Sequence, residues 1–425
     1  MDPRYARRML LARRLLVIVA FVAAAVAMPS SAADLAIVGA TVYPAPDVAP
    51  IPNADVIVRN GRIASVRRGG ERAIPRGAQI VDAKGMHLLA GFWNSHVHLL
   101  SAELTDARSK DPASLERALA ALLTRWGFTS AFDVASVPGN TLALRGRIRR
   151  GEVRGPMLLT VDAPFYPRDG TPIYVRKLYA DNHWPSAETA SADEARARAG
   201  KQLLAGADGV KLFTGAIVGG PTDVLPLDPA ISRAIVDEAR RARKPAFAHA
   251  TNLRGLQIAI DAGVTVLAHP TATEGPWTPA IVSQLKAHDV ALTPTLALFE
   301  IELKQIGVPD SIRERISRDA AQQVKALLDA GGTILFGTDG GYLPDADTTR
   351  EYELMAAAGL DWRAILASLT TSPAKRFGFA KRKGRVAAGM DADLVLLASD
   401  PTREAKAFAD VRYTIREGKV LYQAK

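Results

Sequence analysis

The sequence predicts an α/β protein: a (β/α)8 TIM barrel with a small β-sandwich domain formed from both chain ends. Two observations carry this prediction. Residues 88–382 alternate eight apolar, strand-like runs with helical stretches, which is the count and the length of a TIM barrel. Short strand-like runs separated by turn residues occupy residues 34–87 and 383–425, which indicates one further β domain. A doubly wound open sheet is the alternative architecture.

The first 33 residues have the composition of a secretory signal peptide. Residues 1–14 contain five arginines and one aspartate, an uninterrupted apolar run extends over 15–28, and small residues follow at 30–33. This order of basic, apolar and small residues is typical of a cleaved signal. A transmembrane anchor is the alternative, but a membrane span needs about 20 apolar residues. We therefore expect export to the periplasm of a Gram-negative type of cell, with no stable membrane anchor after cleavage.

Within the N-terminal β segment, Asp55 to Val66 predicts a hairpin with Asn60-Gly61 as its tight turn. The C-terminal segment has the same pattern of short apolar runs, for example Asp393-Leu-Val-Leu-Leu. Both ends are rich in strands, whereas the segment between them alternates strands and helices. This arrangement indicates that both ends belong to the same small domain.

Composition limits the function classes. The chain has no cysteine, which excludes disulfides, thiolate metal sites and a cysteine nucleophile. The net charge is +10, but no lysine or arginine cluster beyond short pairs remains outside the signal segment. We therefore expect a small-molecule substrate and no nucleic-acid partner, and homo-oligomer formation is left open.

Histidines concentrate at the ends of the predicted barrel strands. His96 and His98 end strand 1, His249 ends strand 5, His269 ends strand 6, and Asp339 follows strand 8. Because alternate side chains of a strand share a face, both histidines of strand 1 point into the barrel mouth. Imidazole suits Zn²⁺ and a carboxylate adds a harder ligand. The pattern predicts a catalytic metal site with a position left open for water.

Lys211 lies in the middle of the apolar fourth strand, between Val210 and Leu212, so its side chain points inward. A buried ammonium is costly and is readily deprotonated. From the residues alone, two states of Lys211 are equally supported: a neutral amine, and a cation in a salt bridge to Asp133 or Asp339.

Taken together, these segments resemble the amidohydrolase superfamily, and within it the imidazolonepropionase-like and prolidase-like metal hydrolases. The resemblance covers nearly all of residues 34–425 and rests on the order and strand positions of its motifs. Those motifs are Ser95-His-Val-His98, Gly209-Val-Lys211, Ala248-His249-Ala, Leu267-Ala-His269 and Gly337-Thr-Asp339. Asn94 stands where the family usually has aspartate, which is expected to alter a hydrogen bond behind the ligands.

The resemblance implies a centre of two divalent metal ions, most simply zinc. It implies these ligands: His96, His98 and Asp339 for the first ion, His249 and His269 for the second, and Lys211, carboxylated by CO₂, as a carbamate that bridges both. A hydroxide shared by the two ions would attack the substrate carbonyl. Asp339 would take up its proton and pass it to the leaving amine, so Asp339 and Lys211 are the expected catalytic residues.

The expected activity is hydrolysis of an amide-type C–N bond in a peptide-like compound, an N-acyl amino acid or a cyclic amide. A single-metal deaminase or imidazolone-ring hydrolase, an esterase or lactonase, and a non-catalytic periplasmic binding protein are the alternatives. Single-metal deaminases of the superfamily generally lack the strand-4 lysine, so Lys211 favours two metals. No ligand position is lost, which argues against the binding protein.

A long segment, 163–191, lacks clear periodicity, and a loop of that length within a compact domain is usually functional. Tyr166, Tyr174 and Arg176 in this segment are candidate substrate contacts. Asp133, at the end of strand 2, is a further candidate whose alternative role is structural.

Overall fold

The structure, a computed structural model, describes residues 34–69, 74–219, 223–343 and 345–425. The predicted signal peptide lies outside these residues. Within them, every helix is too short or too polar to cross a lipid bilayer.

The secondary structure of the described residues follows. The strands are β1 (Leu35–Val42), β2 (Ile51–Arg59), β3 (Arg62–Arg68), β4 (Gln79–Asp82), β5 (His87–Ala90), β6 (Phe92–Val97), β7 (Phe128–Asp133), β8 (Met157–Thr160), β9 (Tyr166–Pro167), β10 (Glu188–Thr189), β11 (Val210–Ile217), β12 (Val224–Pro226), β13 (Ala246–Ala250), β14 (Val266–Leu267), β15 (Ala291–Leu292), β16 (Leu394–Leu397), β17 (Val411–Arg416) and β18 (Lys419–Gln423). The α-helices are α1 (Pro112–Leu122), α2 (Asn140–Arg149), α3 (Ile173–Asp181), α4 (Ala192–Leu204), α5 (Pro229–Arg241), α6 (Leu253–Ala262), α7 (Pro279–Ala287), α8 (Leu296–Gln305), α9 (Asp310–Asp329), α10 (Thr349–Ala357), α11 (Trp362–Leu369) and α12 (Thr371–Arg376).

The predicted barrel is confirmed as two parallel sheets that close on each other. One sheet has the order β6-β7-β8, and the other has the order β11-β13-β14-β15 with β12 antiparallel on its edge. The Asp208 N–H donates to the Thr160 carbonyl at 2.6 Å across one seam. The other seam is closed by the segment predicted as strand 8, where Ile334 bridges Leu292 and the Phe336 carbonyl accepts from Ser95.

That eighth segment pairs through isolated bridges rather than a continuous ladder. The backbone turns into the left-handed region at Asp339, with φ 58°, directly after the predicted end of this strand at Thr338. The segment therefore closes the barrel without a continuous ladder, and the turn that follows it lies at the candidate site.

Helix α5 shows how the sequence specifies the outer layer of the barrel. The Asp228 side chain accepts from the backbone N–H groups of Ala230 and Ile231, and proline occupies the first turn, both of which favour a helix start. Its buried face includes Ile231, Ile235 and Ala239, at the spacing that places one apolar stripe against the sheet.

Both chain ends contribute to one further β domain, as predicted. Its strands form a single hydrogen-bonded sheet of eight, in the order β18-β17-β16-β5-β1-β2-β3, with β4 also paired to β1. These strands enclose their own core, which includes Ile37, Val56 and Leu394.

Strand β5 links this domain to the barrel. It pairs with β16 and leads through Gly91 directly into β6. The Gly91 N–H donates to the Asp393 carbonyl at 2.7 Å, and a Cβ at this position would overlap the Thr129 side chain. Only glycine lets the chain pass this close to Thr129 of β7 as it enters β6. Strand β6 is the strand that ends at the candidate site.

Candidate active site

Three of the predicted ligands meet at the mouth of the barrel. The Nε2 atoms of His96 and His98 are 3.3 Å apart. Asp339 Oδ1 lies 3.2 Å from the first and 2.9 Å from the second. His96 and Asp339 are buried, with 0% and 4% of their surface exposed. Strand β6 and the segment that closes the barrel therefore direct two imidazoles and one carboxylate at the same point.

Backbone carbonyls determine which ring nitrogens face this point. His96 Nδ1 lies 3.1 Å from the Ala268 carbonyl oxygen, and His98 Nδ1 lies 2.7 Å from that of Ala135. A carbonyl only accepts, so each Nδ1 carries the proton and donates it. The lone pair of each ring is left on Nε2, as second-layer partners of metal-binding histidines arrange it.

His269 is oriented by a hydroxyl group instead. Its Nδ1 lies 2.7 Å from Thr295 Oγ1, and that hydroxyl donates its own proton to the Pro294 carbonyl. The hydroxyl must therefore accept from His269, which again leaves the lone pair on Nε2. His249 lies beside this ring, with 4.9 Å between centroids, and stacks on Phe213 at 4.7 Å.

The turn around Asp339 is held tightly against β6. The Asp339 N–H donates to the His96 carbonyl at 3.0 Å. A Cβ at Gly337 would lie 2.7 Å from the Cβ of His96, and one at Gly341 would overlap the carbonyl of His98. The two glycines let the turn approach the histidines closely enough for the carboxylate to reach them.

Burial determines the charge of the site. It lowers the pKa of His96 to about 4 and that of His249 to about 3, so both rings are neutral near pH 7. It also lowers the pKa of Lys211 to about 7, against the opposing charge of Asp339. Burial alone raises the pKa of Asp339, but His96 and His98 bring it well below its usual range.

This donor set fits a divalent metal ion. Ligand atoms of His96, His269 and Asp339 all lie within 4.8 Å of one another. Metal ligation requires neutral imidazole and ionised carboxylate, which are the forms that burial and charge favour here. Neutral rings with fixed Nε2 lone pairs and a hard oxygen suit zinc.

A cavity opens above the ligands. Lys211, Tyr166 and Tyr174 all line it together with His98, His249, His269 and Asp339. The long segment after β8 supplies both tyrosines, through β9 and α3. Two of the predicted substrate contacts and five of the predicted metal ligands thus share one cavity.

Two other predicted contacts lie elsewhere. Asp133 is buried in the barrel wall, where its carboxylate accepts from Thr141 at 2.6 Å and from Thr160 at 3.0 Å. Arg176 is on the exposed face of α3, and its guanidinium donates to the Val218 carbonyl at 3.2 Å. Neither side chain lines the cavity. The periodicity of α3, which the sequence does not reveal, turns Tyr174 inward and Arg176 outward.

Asn94, the departure from the family pattern, lies behind the ligands. Its Nδ2 donates to Thr338 Oγ1 at 2.8 Å, and its Oδ1 accepts from the His96 N–H at 3.2 Å. The amide therefore connects β6 to the residue that precedes Asp339.

Sequence reasoning missed a polar pair in the cavity. The Tyr342 hydroxyl donates to Glu302 Oε1 at 2.8 Å, and both side chains line the cavity. The position of Tyr342, three residues beyond Asp339, was a usable signal. Glu302 lies within α8, and nothing in the local sequence distinguishes it from a solvated helix residue.

Comparison with known proteins identifies the family. Residues 87–421 match the model of the amidohydrolase family. An ochratoxinase of Aspergillus niger is 25% identical over 410 residues, which cover 86% of this chain and 81% of that protein.

Solved structures show the same fold. The A. niger ochratoxinase structure superposes with a TM-score of 0.75 and 20% identity over 93% of this chain and 96% of its own. An Xaa-Pro dipeptidase with bound methionine gives a TM-score of 0.78 and 17% identity, over 92% of this chain and 100% of its own. The family match, the barrel and the His/Asp cluster agree, and the chain is a hydrolase of C–N bonds that belongs to the amidohydrolase family.

Proposed function

We propose that the chain is an exported, metal-dependent amidohydrolase that uses two metal ions to cleave an amide bond. The observation that carries this proposal is the convergence of neutral histidines, one carboxylate and a buried lysine at the floor of one cavity. The substrates proposed are peptide-like compounds, N-acyl amino acids and cyclic amides. The similarity in fold to an Xaa-Pro dipeptidase favours a peptide-like bond.

The proposed ligands divide into two sets, as the family resemblance implies. His96, His98 and Asp339 would hold one ion, and His249 and His269 would hold the other. When bound, two zinc ions would supply a shared hydroxide as nucleophile and would polarise the substrate carbonyl.

Lys211 is proposed to bridge the two ions as a carbamate. Its side chain is 1% exposed, and burial lowers its pKa to about 7. A neutral amine is the form that reacts with CO₂, and the product is an anion with two oxygens. Carbamylation therefore replaces a cation that divalent metals would repel with an anionic group that can bind both.

Asp339 is proposed to move the proton. Because the two histidines keep its pKa low, the carboxylate is ionised and can accept a proton during attack. It then donates that proton to the leaving amine, which cannot depart as an anion.

Lys211 variants test the bridge. Metal content per chain, measured with hydrolysis of dipeptides and N-acyl amino acids, should give two ions and turnover for the wild type. Lys211→Ala should lose at least one ion and nearly all activity, with partial rescue by acetate or propionate. Lys211→Arg should show no rescue, because its bulk and fixed charge fill the space. Two ions and full activity in Lys211→Ala would contradict the bridge.

Export is proposed from the basic and apolar N-terminal residues. Mass spectrometry of periplasmic protein should find a mature N-terminus near Ala33 or Asp34. Intact Met1 in the inner membrane would instead indicate an anchor.

A further inference from the structure

One wall of the cavity is a continuous series of aromatic rings. Phe213, which stacks on His249, lies 4.8 Å from Tyr166, and Tyr166 lies 6.0 Å from Tyr179. The series ends with Trp184, 5.6 Å from Tyr179. These rings lead from the metal ligands outward along the cavity. Such a wall binds a flat or extended apolar group by burial and ring contact.

The part of the cavity near Asp339 contains a second carboxyl group, that of Glu302. Tyr342 follows the Asp339 turn, and its N–H lies 3.2 Å from the Asp339 carbonyl oxygen. Its hydroxyl donates to Glu302 Oε1, and Glu302 Oε2 has no hydrogen-bond partner among the described residues. Because Asp339 protonates the leaving amine in the proposed mechanism, the amine portion of a substrate lies on this side.

Cationic side chains are turned away from the cavity. Lys211, on its floor, is the only amine or guanidinium among the described residues that line it. Arg198 donates to the carbonyls of Pro164 and Ala187, and Arg176 donates to that of Val218. When Glu302 is ionised, a substrate carboxylate next to it would therefore face a like charge, with no arginine and no second lysine in the lining to offset that charge.

We propose that the cavity selects amides with an aromatic or extended apolar acyl group and a cationic or neutral, hydrogen-bond-donating amine portion, and that Glu302 is the residue that discriminates against a carboxylate on that portion. This inference rests on the proposed amide hydrolysis and narrows its substrates. N-acyl amino acids with a free carboxylate become the disfavoured members of the class.

A matched series of benzamides tests the selectivity. The compounds have the form benzoyl-NH-CH₂-X, with X a carboxylate, a carboxamide or an aminomethyl group, so that the charge of X changes from negative to neutral to positive at nearly constant size. We expect kcat/KM of the metal-loaded enzyme to rise in that order, by roughly tenfold or more between the ends. Equal values, or a preference for the carboxylate, would overturn the inference.

Two variants of α8 assign the effect. Glu302→Gln keeps the shape and removes the charge, so the spread across the series should fall to about threefold or less. Glu300→Gln is the control, because Glu300 lies on the same helix but pairs with Arg350 outside the cavity, and it should keep the wild-type order. An unchanged spread in Glu302→Gln would remove Glu302 from the proposed role.

Binding of sulfonamides separates this inference from the proposed hydrolysis. In benzenesulfonyl-NH-CH₂-X a sulfonyl group replaces the scissile carbonyl, so these compounds bind without cleavage. If the sulfonamides bind in the expected order and no amide of the proposed classes is cleaved, the proposed hydrolysis fails and the charge selectivity of the cavity is retained. If benzamides are cleaved but the carboxylate sulfonamide binds as tightly as the amine, the selectivity fails alone. No binding and no cleavage would overturn both.

Discussion

Each histidine that reaches Asp339 is oriented by an oxygen acceptor behind it, and Thr295 is the acceptor that mutation can remove. Thr295→Ala deletes the Oγ1 that receives the His269 Nδ1 proton. Loss of such a partner typically costs about 10–100-fold in metal affinity. Titration of metal against a chromogenic chelator should show this loss. Thr295→Ser keeps the hydroxyl and should bind metal like the wild type, and equal affinities for all three proteins would contradict the assigned hydrogen bond.

The buried lysine should make the metal-free protein less stable at low pH. Burial lowers its folded-state pKa from 10.5 to about 7, so the unfolded chain binds more protons between these values and stability rises with pH there. In CO₂-free buffer, Lys211→Met should therefore unfold at a higher temperature than the wild type, with a gap that is wide near about pH 6 and narrow near about pH 10.

A surface lysine provides the comparison for that experiment. Lys177, with 85% of its side chain exposed, should give a Lys177→Met variant whose unfolding temperature follows the wild type across the same range. If the difference in unfolding temperature between Lys211→Met and the wild type did not change with pH, burial would not destabilise the charged form of this lysine.

At the scale of single residues, the sequence predicts the direction of a side chain where that direction follows from the alternation along a strand. His96 and Lys211 lie on strands and His98 directly follows one, so a period of two places all three inward. Arg176 and Glu302 lie on helices whose phase depends on packing against the barrel. Arg176 was predicted to contact the substrate but lies outside the cavity. Glu302 was not predicted but lines the cavity.

Among the structural elements, the turn after the closing segment leaves little room for a larger side chain. Gly341 has φ 93°, and a Cβ there would overlap the His98 carbonyl. Gly341→Ala should displace His98 and reduce both metal content and turnover. Gly275 also has positive φ, 78°, but nothing lies within 4 Å of a built Cβ. Gly275→Ala should therefore show only the backbone strain of about 1–3 kcal/mol, and an equal loss of metal in both variants would exclude the steric explanation.

The barrel strands were predicted from apolar runs, and the eighth shows the limit of that signal. Its residues Ile334 to Phe336 are apolar and buried, as in a strand. Its pairing consists of isolated bridges and single hydrogen bonds, and the turn that follows brings Asp339 to two histidines. Apolar residues predict where the strand lies, but the extent of its pairing depends on neighbouring strands that are distant in sequence.

In the molecule as a whole, the core of the barrel extends into the β domain, which also has a core of its own. Phe408 lies in the 3₁₀ turn Ala405–Ala409 between β16 and β17, is fully buried, and contacts Phe92 of β6 and Tyr352 of α10. Phe408→Ala should cost roughly 3–5 kcal/mol and lower one common unfolding transition. Far-UV circular dichroism and tryptophan fluorescence should shift together. Two separated transitions would show that the domains unfold independently, and Ile80→Ala, at a 57% exposed position, should shift neither signal.

The pairing of β5 with β16 also has a consequence for biosynthesis. A ribosome delivers the chain from its N-terminus, so β5 and the adjoining His96 and His98 emerge while β16 is still untranslated. Until β16 arrives, the edge of β5 that it covers is unpaired, and Gly91 lacks its bond to Asp393. Asp339 is also made before β16, but the strand it must meet is not yet fixed. The nascent chain therefore has its ligands before it has a finished site, and stable metal capture follows the emergence of β16.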